Sequence, residues 1–231
     1  MAKRPIFIAE VNGSNLVRVQ SVDFTWYAGM AMSRRQLSMR SLHEAAQALH
    51  PDAKILEVSR MSDEPLGKQL SAFNLTIKHP EQHRYVPLEC AFQASKVFER
   101  GGPFLDLIDA RPADAKRDER LQSSGRLTGF RFFDEEWPKE PLTAFYDWIY
   151  INAMRQKTDL AEAVSRYDIF TDIAFNPEKS INCQAGAVAL FVALVRRGKL
   201  ESALSSREAF LNVERTATAR DDANGTQRSL F

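Results

Sequence analysis

The sequence predicts an α+β fold in which a mainly helical body carries a small β-rich portion at its N-terminus. The first quarter of the chain holds short runs rich in β-branched and aromatic residues, separated by "NGS" and by one helical stretch near "SLHEAAQALH". From about residue 88 apolar residues recur at helical spacing, and this periodicity is lost after about residue 214. With 231 residues, 44% of them hydrophobic, the chain is long enough for one large domain with an extension.

These patterns divide the chain into three parts. Residues 1–66 form the β-rich portion, packed on the main domain, with strands expected in "PIFIAE", "LVRVQSVDFTWYA" and "KILEVSR". Residues 67–213 form the main domain. Its helices are expected in "PADAKRDERLQ", "PLTAFYDWIYINAMRQ", "DLAEAVSRY", "AGAVALFVALVRRG" and "ESALSSREAFLNV". Residues 214–231 are polar and aperiodic, as in a flexible tail.

Composition excludes several classes of protein. A formal charge of +1 is too small for a protein that coats nucleic acid with its whole surface, so any such contact should be local. Cys90 and Cys183 lie in apolar helical contexts, which argues against a disulfide framework or a cysteine zinc site. The four histidines lack metal-ligand spacing, and we expect neither metal nor cofactor. No apolar run approaches the length of a membrane span, so a soluble cytoplasmic protein is expected.

The segment "VPLECAFQASKVFERGG", residues 86–102, carries polar residues that a buried helix does not need. It is apolar on nearly all sides, and a glycine pair should end it. At 100° per residue, Glu89, Gln93 and Lys96 fall on one stripe of that helix. An internal ion pair is one explanation, but seven residues span roughly 10 Å, too far for Glu89 to contact Lys96 directly. The other explanation is that the stripe lines a cavity, and spacing alone supports the two equally.

Further polar residues stand out in the loops and helices that follow or precede this segment. Asp172 lies among apolar residues in "FTDIAFNP", although a lone Asp in a loop is more often a turn residue than a catalytic acid. Asn182 precedes the final core helix, where capping is the simpler interpretation. Asn74 lies between apolar residues in "LSAFNL", and Asp147 with Trp148 interrupts an aromatic helix.

The order of these motifs resembles the NADAR (YbiA-like) family. That family has a Ser-Asn-Phe-like segment, a Glu-His-x-x-Gln-x-x-Lys helix, an Ala-Lys helix, and an acidic loop followed by Gly-x-Asn. The corresponding stretches here are "LSAFNL", "ECAFQASK", "PADAKR", "TDIAFNP" and "SINCQAG". The stretches "FQASKVFERGGP", "SGRLTGFRF" and "WPKEPLTAFYDWIYI" resemble one branch, the antitoxin that accompanies a DarT-type toxin.

The resemblance implies an activity, partners and a site. The toxin attaches ADP-ribose to guanine in DNA, so the implied activity is an N-glycosidase that removes it. The implied partners are ADP-ribosylated DNA and, genetically, the DarT-type toxin. Lys96, Glu89 and Asp172 would be catalytic. The substrate would be bound by Asn74, Gln93, Gly101, Gly102, Trp148 and Asn182.

Three positions depart from the family pattern. Cys90 stands where many members have His, so no His is assigned to that step. Phe175-Asn176 replaces the usual Trp-Gly pair, and Ser180 replaces the Gly before Asn182. The substrate-contacting part of the acidic loop is therefore the least transferable part of the resemblance.

With the resemblance, an active-site wall explains the polar stripe better than an internal ion pair. Lys96 could form an imine with the ribose while a carboxyl group moves protons. Alternatively, Glu89 and Asp172 could act as a carboxylate pair, with Lys96 only binding phosphate or ribose. Two other functions stay open. One is the same chemistry on phosphorylated ribosylamino-pyrimidine intermediates of riboflavin synthesis, and the other is a non-catalytic antitoxin that binds its toxin.

Two features near the surface suggest further contacts. Arg111, Lys116, Arg117 and Arg120 alternate with acidic residues, which is more typical of a solvated mixed-charge face than of a phosphate-binding groove. The last five residues, "QRSLF", resemble the pentapeptide with which bacterial proteins bind the replicative sliding clamp. In that interpretation Leu230 and Phe231 would fill an apolar pocket while Gln227 makes polar contacts.

Overall fold

The computed structural model describes residues 1–178 and 180–221, of which 218–221 are described by their backbone only. Its main sheet has the strand order β10-β2-β1-β9-β3. The five strands are β1 (Ala2–Ala9), β2 (Val17–Phe24), β3 (Ile55–Glu57), β9 (Ile169–Thr171) and β10 (Thr218–Asp221). β1 is antiparallel to β2 and to β9, whereas β3 runs parallel to β9 and β10 parallel to β2.

The alternation of side chains along β1 explains why both faces of this sheet are buried. Ile6 and Ile8 point to one face, where they pack with Met39 and Leu42 of helix α1 (Met32–Leu49). Phe7 and Ala9 point to the other face and join the main core. That core is built around α6 (Ala144–Arg155) and α8 (Gln184–Arg196).

Shorter elements complete the fold around these layers. Two small sheets are formed by β4 with β5 and by β6, β7 and β8. Their strands are β4 (Thr76–Lys78), β5 (Tyr85–Pro87), β6 (Lys96–Phe98), β7 (Leu127–Phe132) and β8 (Glu135–Pro138). The remaining helices are α2 (Pro65–Gln69), α3 (Leu88–Ala94), α4 (Pro112–Ala115), α5 (Arg120–Ser123), α7 (Thr158–Val164), α9 (Leu200–Ala203) and α10 (Arg207–Thr216), with a 3-10 helix at Leu105–Asp109.

The predicted mixture of helix and strand is confirmed, but its distribution along the chain is not. About 41% of the residues are helical and 19% are in strands. Both small sheets lie within the part predicted as a helical body, and the expected helix in "PADAKRDERLQ" is divided into α4 and α5. The N-terminal strands β1 and β2 share one sheet with β9 and β10, which come from much later in the chain.

Regular structure also continues past residue 214, where the sequence predicted a tail. Helix α10 ends at Thr216, and β10 then adds an edge strand to the main sheet. The division at residues 66 and 213 stays a prediction about domains. The clamp-like residues Gln227, Leu230 and Phe231 lie outside the described part of the chain. Within the described part, no helix combines the length and apolar character needed to cross a bilayer.

Candidate active site

Glu89 occupies the first turn of α3, where β5 leads directly into the helix. Its backbone N–H donates to the carbonyl of Ala72 at 3.0 Å, and its side chain is only 5% exposed. Gln93 Nε2 donates to Glu89 Oε1 at 2.8 Å, one helical turn further on. Lys116 Nζ lies 3.9 Å from the same oxygen. One oxygen of the buried carboxylate thus accepts a hydrogen bond from an amide and forms a long ion pair with a lysine.

Lys96 does not lie on the helix that the sequence predicted, because α3 ends at Ala94. Lys96 is the first residue of β6, where it pairs with Phe130. After β6 the chain returns to the lysine: a side chain at Gly102, whose φ is +84°, would meet the Lys96 carbonyl oxygen at 2.2 Å. A glycine is therefore required where the chain packs against the backbone of Lys96.

The Lys96 amine is held over an aromatic ring. Its Nζ lies 4.9 Å from the centroid of the Phe92 ring, and it forms no salt bridge with any residue of the described chain. Burial lowers the pKa of Lys96 to about 8, with the charge of Glu89 opposing this shift and that of Lys116 adding to it. An amine in this state can lose its proton near neutral pH.

Asp172 follows β9 and is fixed by its own loop and by α8. Its Oδ1 accepts the N–H of Ala174 and its Oδ2 accepts Gln184 Nε2, both at 3.0 Å. Gln184 Oε1 in turn accepts the N–H of Ala72 at 2.9 Å. Because the carbonyl of Ala72 holds Glu89, these bonds connect the acidic loop to α3. Burial raises the pKa of Asp172 to about 6, against the opposing effect of these hydrogen bonds.

A second buried acid, Glu57, supports the Asp172 loop from behind. Its Oε1 accepts Ser59 Oγ at 2.5 Å and the N–H of Ile173 at 2.9 Å, and Thr171 Oγ1 lies 2.6 Å from its Oε2. Burial and the charge of Asp172 raise the pKa of Glu57 to about 8. We therefore expect Glu57 to be protonated at neutral pH. Sequence reasoning missed it, although an acid inside an apolar strand segment was a usable signal.

Gln93 and Asn182 each present a polar oxygen that is not used within the described structure. Gln93 Oε1 and Asn182 Oδ1 are buried and have no hydrogen-bond partner among the described residues. Asn182 does not cap α8, because the N-cap position is Cys183 and no side chain caps that end, so the capping interpretation is wrong. Unused buried acceptors are costly without a partner, which fits both side chains for binding a ligand.

The remaining predicted substrate-binding residues divide into two groups. Gly101 pairs with Phe98 beside Lys96, and Gly102 touches its backbone, so both shape the position of the lysine. Asn74 and Trp148 are not brought to this cluster. Asn74 is exposed and donates to the carbonyl of Lys68 at 2.8 Å. Trp148 packs in an aromatic cluster, its ring 4.8 Å from that of Trp137.

Two aromatic residues and one lysine stand at the site instead. Tyr146, two residues before Trp148 on α6, packs edge-on against Phe92 with ring centroids 5.0 Å apart. Phe73, next to Asn74, lies under Lys116 Nζ at 5.5 Å from the ring centroid. Each of them lies within two residues of a predicted substrate-binding residue, Tyr146 near Trp148 and Phe73 next to Asn74.

The four basic residues near α4 and α5 differ in the acidic residues that they contact. Arg111 and Arg117 pair with Asp114 at 2.7 and 3.7 Å. Arg120 pairs with two other acids, Asp106 at 2.6 Å and Asp118 at 2.9 Å. These pairs agree with the mixed-charge interpretation, and only Lys116 among the four reaches the Glu89 cluster.

Comparison with known proteins assigns the sequence to a family. The sequence model of the family described as the DarT1-associated NADAR antitoxin matches residues 2–224. A search of curated proteins finds no significant match. Since the family match covers nearly the whole chain, the protein belongs to the DarT1-associated NADAR antitoxin family.

Proposed function

We propose that this antitoxin is an N-glycosidase that removes ADP-ribose from guanine in DNA and so reverses the modification made by a DarT-type toxin. The observation that carries the proposal is the position of the Lys96 amine, which lies over the Phe92 ring near the buried carboxyl group of Glu89. Burial at this position lowers the pKa of Lys96 to about 8. By the ordinary acid–base relation, roughly a tenth of such an amine is neutral at pH 7. A neutral amine is the form that attacks carbonyl-like carbon.

The chemistry fits the bond that has to be broken. Ribose C1 is joined to the exocyclic amino nitrogen of guanine, and protonation of the ring oxygen opens this glycosylamine to an imine. Lys96 Nζ adds to C1, a proton moves to the guanine nitrogen, and the C1–N bond to guanine breaks. Water then hydrolyses the lysine imine, which regenerates Lys96 and releases ADP-ribose.

The carboxyl groups are suited to the proton transfers in this sequence. Asp172, with its pKa raised to about 6, can be both proton donor and acceptor near neutral pH. Glu89 stands at the other side of the cluster, held by Gln93. Lys116 lies beside Glu89 at the edge of the cluster. When it turns away from that acid, its amine can bind an anionic part of the substrate, such as the diphosphate.

A two-carboxylate mechanism makes a different prediction for pH. If Asp172 is the essential acid and Lys96 only binds phosphate, the rate should fall as pH rises above about 6, where Asp172 loses its proton. If Lys96 is the nucleophile and Asp172 its proton donor, the gain in neutral amine offsets the loss of the Asp172 proton, so the rate should stay level between pH 6 and 8 instead of falling. Single-turnover rates across this range separate the two mechanisms.

The direct test is an oligonucleotide that carries guanine-linked ADP-ribose. We expect the folded protein to release ADP-ribose and restore the unmodified strand. An unchanged oligonucleotide would refute the activity. Phosphorylated ribosylamino-pyrimidines, assayed side by side, test the metabolic alternative, which predicts faster turnover of those compounds.

A cellular test separates catalysis from mere binding of the toxin. Cells expressing the toxin should survive with the wild-type antitoxin and die with Glu89→Gln or Lys96→Ala, provided that the variants accumulate normally. Survival with both variants would favour an antitoxin that acts by binding.

A further inference from the structure

A cavity lies on the side of α6 that faces the main sheet. It has a volume of about 590 Å³, within the range of small-molecule sites. Residues of β1, β2, α6, α8 and α10 line it, together with the loop that follows Asp172. Most of its wall is apolar and includes Phe7, Val17, Val19, Phe175, Ile181 and Leu190.

Two carboxyl groups project into this apolar cavity from different helices. Asp147, on α6, is 8% exposed, and Glu214, on α10, lies opposite. Glu214 Oε2 accepts Thr143 Oγ1 at 3.3 Å, whereas its Oε1 is buried with no hydrogen-bond partner among the described residues. Among the described residues that line the cavity there is no Lys, Arg or His.

The free-energy cost of this arrangement needs an explanation. Burial raises the pKa of Asp147 well above its ordinary value, and the charge of Glu214 adds to the shift. Burial also raises the pKa of Glu214 to about 7. Two carboxyl groups shielded from water and close to each other destabilise the folded protein once both ionise, and a cationic ligand would remove that cost.

The cavity is distinct from the Glu89 cluster, although the two are neighbours. Tyr146 and Asp147 are consecutive on α6, and Tyr146 contacts Phe92 while Asp147 lines the cavity. Cys183, which precedes α8, also lines the cavity. A ligand bound here would therefore touch the same loop that holds Asp172, from the opposite side.

We propose that the cavity binds a compact organic cation, an amidinium or guanidinium group on a flat apolar body. A planar group with paired N–H donors can contact Asp147 and the unpartnered oxygen of Glu214 together, as it does with carboxylates elsewhere. The aromatic rings of Phe7 and Phe175, whose centroids are 6.4 Å apart, suit a flat body. A calcium or magnesium ion fits less well, because it requires more oxygen ligands than these apolar walls supply.

The test uses benzamidine as the probe and benzamide as its neutral analogue, with the full-length protein in calorimetric titrations. We expect saturable binding of benzamidine and none of benzamide. Glu214→Gln should weaken benzamidine binding at least tenfold, while Glu208→Gln, a matched change at an exposed position of α10, should leave it unchanged. Val19→Trp, which fills the cavity without touching its charges, should also weaken binding at least tenfold.

Each alternative result is decisive. Absence of saturable benzamidine binding, equal binding of benzamide, or undiminished binding by either Glu214→Gln or Val19→Trp would overturn the proposal. Asp147→Asn replaces Glu214→Gln if circular dichroism shows the latter to be unfolded. Because the readout is binding and not cleavage, the result is independent of the proposed glycosidase activity.

Discussion

Helix α6 lies between two groups of acidic residues. They differ in whether a basic side chain of the described chain lies beside them. On one side, Glu89 lies 3.9 Å from Lys116, and the charges of Glu89 and Lys116 both act on Lys96. On the other side, Asp147 and Glu214 share a cavity without a cation among its described lining residues. On the proposed function, the first arrangement supplies its own amine and carboxyl groups for the reaction, whereas the second, as proposed, is completed by a cationic ligand. Changes on the first side should therefore affect chemistry, and changes on the second side should affect stability and binding.

The largest effect is expected from Lys96→Arg. Guanidinium keeps its charge at neutral pH and cannot form the imine, so the single-turnover cleavage rate should fall at least about 1000-fold. Lys199→Arg, at an exposed position, is the matched control and should cleave normally. Activity of Lys96→Arg within tenfold of the wild type would remove Lys96 from the nucleophilic role.

Glu89→Gln should reduce the same rate by about 100-fold, because proton transfer by a positioned carboxyl group typically contributes that much or more. The amide retains the shape of the side chain, so thermal unfolding should confirm an intact fold. Glu119→Gln, at an exposed position before α5, should change the rate little. If Glu89→Gln cleaves as fast as its control, the acid serves only to hold Lys116 and Gln93.

On the other side of α6, Glu214→Gln should change how stability depends on pH. Burial raises the pKa of Glu214 from the ordinary 4.5 to about 7. The folded protein therefore binds a proton more tightly than the unfolded chain, and the free energy of unfolding should decrease as pH rises through this window. In urea unfolding at pH 5 and pH 8, the loss of stability in the wild type should exceed that in the variant by about 2 kcal/mol, the part that belongs to Glu214.

The control for this experiment is Glu208→Gln on the same helix, which should keep the wild-type pH dependence. Identical slopes for the wild type, Glu208→Gln and Glu214→Gln would show that Glu214 ionises freely in the folded protein. In that case the two sides of α6 would not differ as the structure indicates.

The smallest effect is expected from neighbouring basic residues. Lys116→Gln should lower oligonucleotide cleavage about tenfold and reduce its salt dependence by about one charge, because Lys116 reaches the Glu89 cluster. Arg117→Gln should stay within about twofold of wild type, since Arg117, in the turn after α4, is engaged by Asp114. Equal salt slopes for both variants would assign both residues to the solvated surface.

Sequence periodicity predicted the long elements well and the short ones poorly. The second half of α1, near "SLHEAAQALH", and the apolar α8 were predicted, the first from its helical spacing and the second because its apolar run is too long for a buried strand. The strands β6 and β9 are three residues long, too short for alternation to be visible. The pairing of β10 with β2 joins two segments that are far apart in the sequence. The polar residues 214–221 show no strand pattern from which it could be predicted.

The candidate site residues were predicted from their residue types and motifs, whereas the predicted geometry of the site was partly wrong. The spacing argument placed Lys96 on a helix with Glu89, yet the backbone leaves the helix at Ala94 and a strand carries the lysine. The Lys96 amine still lies over the Phe92 ring and within reach of the charge of Glu89, and Gly102 packs against the Lys96 backbone. The Glu57 network depends on β3 lying beside β9, a long-range pairing that no local pattern encodes.

The most direct test of the account is to trap the covalent intermediate. Borohydride, added while the protein turns over an ADP-ribosyl-guanine oligonucleotide, reduces a lysine imine to a stable secondary amine. Peptide mapping by mass spectrometry should then find an ADP-ribose-derived adduct on Lys96, absent without borohydride and absent in Lys96→Arg. Continued cleavage with no adduct, or an adduct confined to another lysine such as Lys116, would contradict the assignment of Lys96 as the nucleophile.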